Sequence, residues 1–161
     1  MRSVMTAQTA PAPRSLFRWI VMGVVGMLLV LLVAFAAMLY RMNYVPADLD
    51  LSTTLPTAQG LFHVHYTPNQ EPIAINKLHS WTIRVTDANG EPIADAVIGV
   101  DGDMPQHGHG LPTRPQVTRY LGNGEYLVEG MKFQMGGWWV VDFTIDAAGQ
   151  HDTVRFNMLL K

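Results

Sequence analysis

The feature that most constrains this chain is an apolar stretch near its start. Residues 19–40 include no charged side chain, and Arg18 and Arg41 flank them. As an α-helix this stretch would rise roughly 33 Å, which is enough to cross the hydrocarbon core of a bilayer. Trp19 and Tyr40 stand at its two ends, where interfacial aromatic residues occur. The sequence therefore predicts one transmembrane helix over residues 19–40.

The charges on the two sides of this stretch predict its orientation. Three arginines and no acidic residue precede it: Arg2, Arg14 and Arg18. Asp48 and Asp50 follow soon after it. Because cytoplasmic flanks carry the excess of Lys and Arg, we expect residues 1–18 to be a cytoplasmic tail. The C-terminal domain of this single-pass membrane protein is then expected to be periplasmic, or otherwise extracytoplasmic.

A cleaved secretory signal peptide is the alternative for the same stretch. Ala34-Phe35-Ala36 resembles the small-x-small site at which such signals are cut. However, the apolar run is longer than a usual signal core, and it continues past this site through Met38 and Leu39. These points favour an uncleaved anchor, and the choice between the two stays open from the sequence alone.

The chain beyond the apolar stretch is long enough for one domain. Residues 41–56 hold two prolines and two aspartates and predict a linker. Residues 57–161 predict a single folded domain. The chain has no cysteine, so a disulfide framework and a thiolate metal site are both excluded. A domain of about 100 residues can be held together by its own apolar core instead.

The charge and motifs of the predicted domain exclude several functions. It has seven Lys or Arg and eleven Asp or Glu, a net charge of −4, and no basic patch. This argues against binding nucleic acid or anionic lipid surfaces. No serine-hydrolase elbow, phosphate-binding loop or paired-carboxylate motif is present. We therefore expect neither an enzyme nor a small-molecule substrate.

Short alternating runs separated by turn signals fill the predicted domain. In one of them, Trp81, Ile83 and Val85 alternate with polar residues. Asn89-Gly90 predicts a hairpin, with the next strand returning beside the first. Seven strands are predicted, over residues 61–66, 79–87, 92–101, 116–121, 125–129, 138–145 and 153–159. This pattern predicts an all-β fold: a single immunoglobulin-like antiparallel β-sandwich after one N-terminal transmembrane helix.

One loop carries residues that a sandwich does not need for packing. Residues 104–110 read Met-Pro-Gln-His-Gly-His-Gly. Proline and glycine exclude a helix or a central strand here, and glycine lets the loop turn several side chains toward one point. Met104, His107 and His109 are ligand types that suit copper, and methionine favours the cuprous ion. The alternative is a proline-glycine crossover whose histidines are solvated or hydrogen-bonded.

Other polar residues are weaker candidates. Asp101 and Asp103 precede the loop and would complete a zinc site or orient an imidazole. His63 and His65 share one strand face, so the pair can chelate a metal, but it is also typical of a solvent-facing strand. His79 opens a predicted strand and is expected at the surface.

Four segments, in this order, resemble the YtkA-like domain, which is grouped with FixH-like proteins. They are the end of the predicted hairpin at residues 91–96, the loop at residues 104–110, Gly-Asn-Gly-Glu-Tyr at residues 122–126, and Phe-Gln-Met-Gly-Gly-Trp-Trp at residues 133–139. The resemblance covers roughly residues 61–160. The short N-terminal anchor is similar to the FixH arrangement as well.

The resemblance implies a membrane-tethered, extracytoplasmic immunoglobulin-like domain. FixH-like proteins are associated with a copper-transporting ATPase and with the assembly of cbb-type cytochrome oxidase. CopC-like copper carriers are similar β-sandwiches with His and Met ligands. Met104, His107, His109 and Met135 match that pattern, so the resemblance implies them as metal-binding residues, with copper as the expected cofactor.

Two functions from different classes follow as hypotheses. The first is copper handling, or accessory work in the assembly of a metalloprotein such as an oxidase, with a copper exporter or oxidase assembly proteins as partners. The alternative is a non-metal protein–protein interaction or scaffold module of a membrane complex. In that alternative, the loop and an exposed tryptophan contact the partner.

Overall fold

The computed structural model describes residues 14–161, which divide into two compact units. The first unit ends at Asn43 and is helical, and the second, Tyr44–Lys161, is built of strands. Most of the predicted cytoplasmic tail, residues 1–13, lies outside the described residues. The boundary between the units falls inside the predicted linker, so its residues from Tyr44 onward belong to the β unit.

Helix α1, Arg14–Asn43, extends beyond the predicted apolar stretch at both ends. Its 30 residues correspond to a length of roughly 45 Å. Large apolar side chains on it are exposed, such as Trp19 and Val33 at 69% and 67%. An exposed apolar surface of this extent is stable in a bilayer rather than in water. Leu16–Asn43 is long and apolar enough to cross a membrane, and fits a single-pass anchor.

Nine strands form two antiparallel sheets in the β unit. In chain order they are β1 (Thr54–Pro56), β2 (Phe62–Pro68), β3 (His79–Asp87), β4 (Val97–Met104), β5 (His109–Gly110), β6 (Gln116–Gly122), β7 (Glu125–Met131), β8 (Gly137–Ala147) and β9 (Gln150–Leu160). The five-stranded sheet has the order β1-β2-β3-β7-β6, and the four-stranded sheet has the order β5-β4-β8-β9. Both sheets contribute to one hydrophobic core, which confirms the predicted all-β, immunoglobulin-like sandwich. The short strands β1 and β5 are additions to the seven predicted strands.

Alternation along the strands decides which side chains enter the core. Trp81 and Val85 of β3 are fully buried, as their spacing predicts. The same period of two places Trp139 in the core and its neighbour Trp138 on the opposite face of β8. Trp81 also stacks on Tyr66 of β2, with ring centroids 4.7 Å apart. Burial of large aromatic surfaces is therefore the main stabilising contribution to this sandwich.

The Asn89-Gly90 turn forms, but the predicted hairpin is wrong. Gly90 has a φ of +88°, and its amide donates to the carbonyl of Asp87 at 3.1 Å, as in a tight turn. After a single bridge between Thr86 and Pro92, the chain leaves β3 and joins the four-stranded sheet as β4. Because β3 is already paired on both sides, with β2 and β7, it has no free edge for β4. Strand β4 consequently begins later than predicted.

The segment between α1 and β1 is fixed to the sandwich at both ends. The side-chain amide of Gln106 donates to the carbonyl of Tyr44 at 2.8 Å, and that of Asn157 donates to the carbonyl of Asp50 at 3.1 Å. Val140 points away from the core by strand alternation, yet it is only 3% exposed. Val140 and Asn157 are cross-strand neighbours. The segment is therefore held on the outer face of the four-stranded sheet, beside the strand position of Val140.

A buried carboxylate, Asp152, joins the start of β9 to the chain that enters β2. It is 1% exposed and accepts backbone N–H bonds from Gln59 at 3.0 Å, Leu61 at 3.4 Å and Thr153 at 2.8 Å. Burial raises the pKa of Asp152, but hydrogen bonds from the Thr57 hydroxyl and from these amides outweigh it and leave the pKa below its ordinary value. The fold thus stabilises the charged carboxylate.

The Asp152→Asn variant is expected to unfold at a lower guanidinium concentration at pH 7, because a neutral amide oxygen is a weaker acceptor than a carboxylate. The stabilisation is fully present above the ordinary carboxyl pKa of about 3.9 and is lost as the pH falls through the lower folded-state pKa. The difference in midpoint between the two proteins should therefore shrink below about pH 4. Asp95→Asn, at an exposed site, is the control. A difference in midpoint that stayed constant down to the lowest pH at which both proteins fold would contradict this explanation.

Candidate metal centre

The loop of residues 104–110 is built as a tight connection between β4 and the edge strand β5. Met104 ends β4 and pairs with His109, which opens β5. The amides of His107 and Gly108 both donate to the carbonyl of Met104 at 2.9 Å. Gly108 has a φ of +65°, which lets the chain reverse here without a Cβ penalty. The loop therefore lies at the edge of the four-stranded sheet, as the exclusion of a central strand predicts.

This turn brings the two histidines of the loop together. The ring centroids of His107 and His109 are 5.8 Å apart, with an angle of 28° between their planes. Both residues are half-buried, and the ring of His109 meets the edge of Trp139, also with centroids 5.8 Å apart. When two imidazole nitrogens each lie about 2 Å from one metal ion, their ring centroids are on the order of 5–6 Å apart. The ring separation therefore fits a shared ion.

Met104 lies on the core side of the same loop. It is 1% exposed, and its terminal methyl group contacts Gly137 so closely that a Cβ at that position would collide with it. Directly opposed residues of paired strands point to the same face of a sheet, so Met104 and its partner His109 both face inward. The structure thus places three of the four predicted ligands, Met104, His107 and His109, in one turn at the edge of the sheet.

Met135, the fourth predicted ligand, lies on the neighbouring loop that precedes β8. Its side chain is 37% exposed. Its carbonyl accepts a hydrogen bond from Trp139 Nε1 at 3.0 Å, and Trp139 in turn contacts His109. Met135 is therefore joined to the histidine pair through Trp139. Ligation by any of the four residues stays a prediction.

The other candidates from the sequence do not extend this centre. Within residues 14–161, no three His, Asp or Glu side chains are grouped as metal ligands. Asp101 accepts a bond from the amide of Gly102, next to it in the chain, at 2.8 Å. Both ring nitrogens of His65 are engaged by hydroxyl groups, Nδ1 by Thr54 at 2.7 Å and Nε2 by Thr67 at 3.0 Å. The ring of His65 is therefore held by two hydroxyl groups, and chelation of a metal by His63 and His65 stays a prediction.

Two residues near the centre were not expected from the sequence. Gln134 places its side-chain nitrogen 3.0 Å from Nδ1 of His109, a contact between residues 25 positions apart. The prediction that His79 is a surface residue is wrong: it is half-buried against Phe133, with ring centroids 5.6 Å apart. Only the position of Gln134 between Phe133 and Met135, in an otherwise apolar element, marked it in the sequence.

Comparison with known proteins places the chain in a family. The YtkA-like family matches residues 62–144, which is more than half of the chain and includes the loop and Met135. A crystal structure of a DUF4426 family protein from Pseudomonas aeruginosa PAO1 is similar, with 15% identity and a TM-score of 0.49, over 68% of this chain and 96% of that chain. No curated protein matches the chain. By its family match, and by the sandwich and loop described above, the chain belongs to the YtkA-like family.

Proposed function

We propose that this protein is a membrane-anchored copper-handling domain, which holds a copper ion between a donor and an acceptor protein. The observation that supports this most is the 5.8 Å separation of the His107 and His109 rings. The donor set also favours copper over zinc. No third histidine or carboxylate is grouped with the pair among the described residues, while a thioether suits the cuprous ion.

In this proposal the imidazoles of His107 and His109 bind the ion. Met104 supplies a soft sulfur donor from the core side, and Met135 is available from the neighbouring loop. A carrier has to release its ion to a partner, and a half-exposed histidine pair beside a partly exposed methionine is accessible to one. A copper exporter as the donor, and an oxidase assembly protein as the acceptor, are the partners that this function requires.

Titration of the full-length protein in detergent micelles with cupric and cuprous ions tests this function. The double change His107→Ala and His109→Ala is expected to abolish saturable cupric binding, because it removes both nitrogen ligands. The matched control is the double change His63→Ala and His65→Ala, which removes two histidines with the same spacing from β2 and should leave the affinity unchanged.

Equal losses from the two double changes would contradict the proposal, since they would indicate weak binding by any surface histidine. No saturable binding by the unaltered protein would contradict it as well. That result would favour the alternative, a protein–protein interaction module in which the loop of residues 104–110 and an exposed tryptophan contact the partner.

The proposal also places the β unit outside the cytoplasm, with the N-terminus inside. Support comes from the arginines that precede α1 and the aspartates that follow it. A reporter enzyme that is active only outside the cytoplasm, fused after Lys161, should be active and should sediment with membranes. A reporter that works only in the cytoplasm, fused at the same point, is the control and should be silent. Activity in the soluble periplasmic fraction would instead indicate cleavage of the anchor.

A further inference from the structure

The side-chain amide of Gln134 has an orientation that chemistry determines. Its Nε2 lies 3.0 Å from Nδ1 of His109 and 3.3 Å from the carbonyl oxygen of Gly110. A carbonyl oxygen only accepts hydrogen bonds, so the amide atom that faces Gly110 has to be the donor nitrogen. The two hydrogens of that nitrogen then have two acceptors, the Gly110 oxygen and His109 Nδ1.

This contact assigns the tautomer of His109. A nitrogen that accepts a hydrogen bond carries no proton, so the neutral ring of His109 bears its hydrogen on Nε2. A protonated Nε2 has no lone pair for a metal ion. Nδ1 is itself occupied by the amide of Gln134. In this arrangement, neither ring nitrogen of His109 is free to bind copper.

The side-chain amide of Gln134 has two orientations, related by a turn of 180°. In the observed one, Oε1 is buried and has no hydrogen-bond partner among residues 14–161. A turn of 180° would let Oε1 accept a bond from a protonated His109 Nδ1, but it would also set Oε1 against the carbonyl of Gly110. The turned orientation is the less favourable one in the metal-free protein, because it sets two acceptor oxygens against each other and moves the Nε2 hydrogens to the partnerless position of Oε1.

The turn does not require the backbone to move. Asn76 holds the backbone on both sides of the Gln134 Cα. Its amide donates to the carbonyl of Phe133 at 2.8 Å, and its side chain donates to the carbonyl of Gln134 at 3.2 Å. The backbone that carries Gln134 is thus held independently of the orientation of its side-chain amide.

We propose that Gln134 is a positioning residue that selects the tautomer of His109 and thereby gates metal binding at Nε2. The gating rests on the proposed copper function, whereas the tautomer does not. When the ion binds, the Nε2 proton leaves to water, and Nδ1 takes a proton from water and donates it to the turned Oε1. The imidazole stays neutral throughout, and the new bond orients the ring toward the ion.

Nitrogen-15 NMR of the histidine-labelled full-length protein in micelles tests the tautomer without metal. In the unaltered protein, His109 is expected to show a protonated Nε2 and a bare Nδ1. The Gln134→Glu carboxylate only accepts, so it should move the proton to Nδ1, and Gln134→Leu should give a mixture of both tautomers. The matched control is Gln106→Leu, because Gln106 lies in the same loop but donates to the carbonyl of Tyr44.

Three results would overturn the tautomer assignment. The first is a protonated Nδ1 in the unaltered protein, and the second is a His109 spectrum that neither Gln134 variant changes. If the Glu variant fails to fold, the Leu variant decides alone. A change of the His109 spectrum in the Gln106→Leu control that matches the change in Gln134→Leu would also overturn it, because loosening of the loop would then be the cause.

Titration with the diamagnetic cuprous ion tests the gating. Saturable binding should move the His109 proton from Nε2 to Nδ1 in step with occupancy. Gln134→Glu should bind about 10-fold more tightly than the unaltered protein, because no amide has to turn. Binding that leaves the His109 tautomer unchanged overturns the gating. An absence of binding overturns both the copper function and the gating, while the metal-free spectra still decide the tautomer.

Discussion

Replacing Phe143 by alanine is expected to lower the free energy of unfolding of the β unit by about 3–5 kcal/mol. Phe143 is fully buried at the centre of β8. Its ring packs against Trp81 and Phe156, with centroids 6.5 Å and 5.8 Å away. The substitution removes apolar surface from both sheets and leaves a cavity that rigid neighbouring rings cannot fill.

Guanidinium unfolding of the membrane-anchored protein in micelles, followed by tryptophan fluorescence, measures this loss. Val97→Ala is the control, because Val97 lies on β4, in the same sheet, with 69% exposure and should change stability by no more than about 0.5 kcal/mol. A loss below about 1 kcal/mol for Phe143→Ala would show that the two sheets are not held together by this aromatic cluster.

Gly124→Ala is expected to destabilise the sandwich by more than about 2 kcal/mol, for two reasons that add. Gly124 lies in the turn of the β6–β7 hairpin, directly before β7, with a φ of +75°, a conformation that costs other residues roughly 1–2 kcal/mol. In addition, a Cβ here would lie 2.5 Å from the backbone oxygen of Val85, an atom in a paired central strand that cannot move away. The measurement is the same denaturant titration.

The matched control for this change is Gly90→Ala. Gly90 has a similar φ of +88°, but a Cβ at its position would meet no atom within 4 Å. It should therefore show the backbone cost alone. The difference between the two variants isolates the collision with Val85. Equal losses would mean that the hairpin shifts enough to relieve the collision.

The local alternation of apolar and polar residues was sufficient to predict the strands and their buried faces. The alternation that places Trp81 and Phe143 in the core depends only on the period of two along a strand, which a single run of residues displays. The sheet that each strand joins depends on distant residues. The Asn89-Gly90 turn was therefore recognised correctly, while the hairpin beyond it was not, because β3 already has two partners from other parts of the chain.

The residues of the candidate site were likewise predictable where they are neighbours in the sequence, and not where they come from distant segments. Met104, His107 and His109 were recognisable because they share one short loop with glycine and proline. The contact of Gln134 with His109 and the packing of Phe133 over His79 each join segments that are far apart in sequence. No periodicity or turn signal reports such contacts, so the polar partner of the loop became visible only in the folded structure.

The attachment of the segment between α1 and β1 has a consequence for shedding from the membrane. A protease that cuts directly after Asn43 would release a fragment that retains all nine strands and the contacts of Tyr44 and Asp50. A cut after Pro56 would remove β1 and the contacts of Tyr44 and Asp50, and would leave the edge of β2 unpaired. Unpaired edges promote aggregation. Cleavage close to the end of the helix is therefore the cut that leaves the sandwich complete.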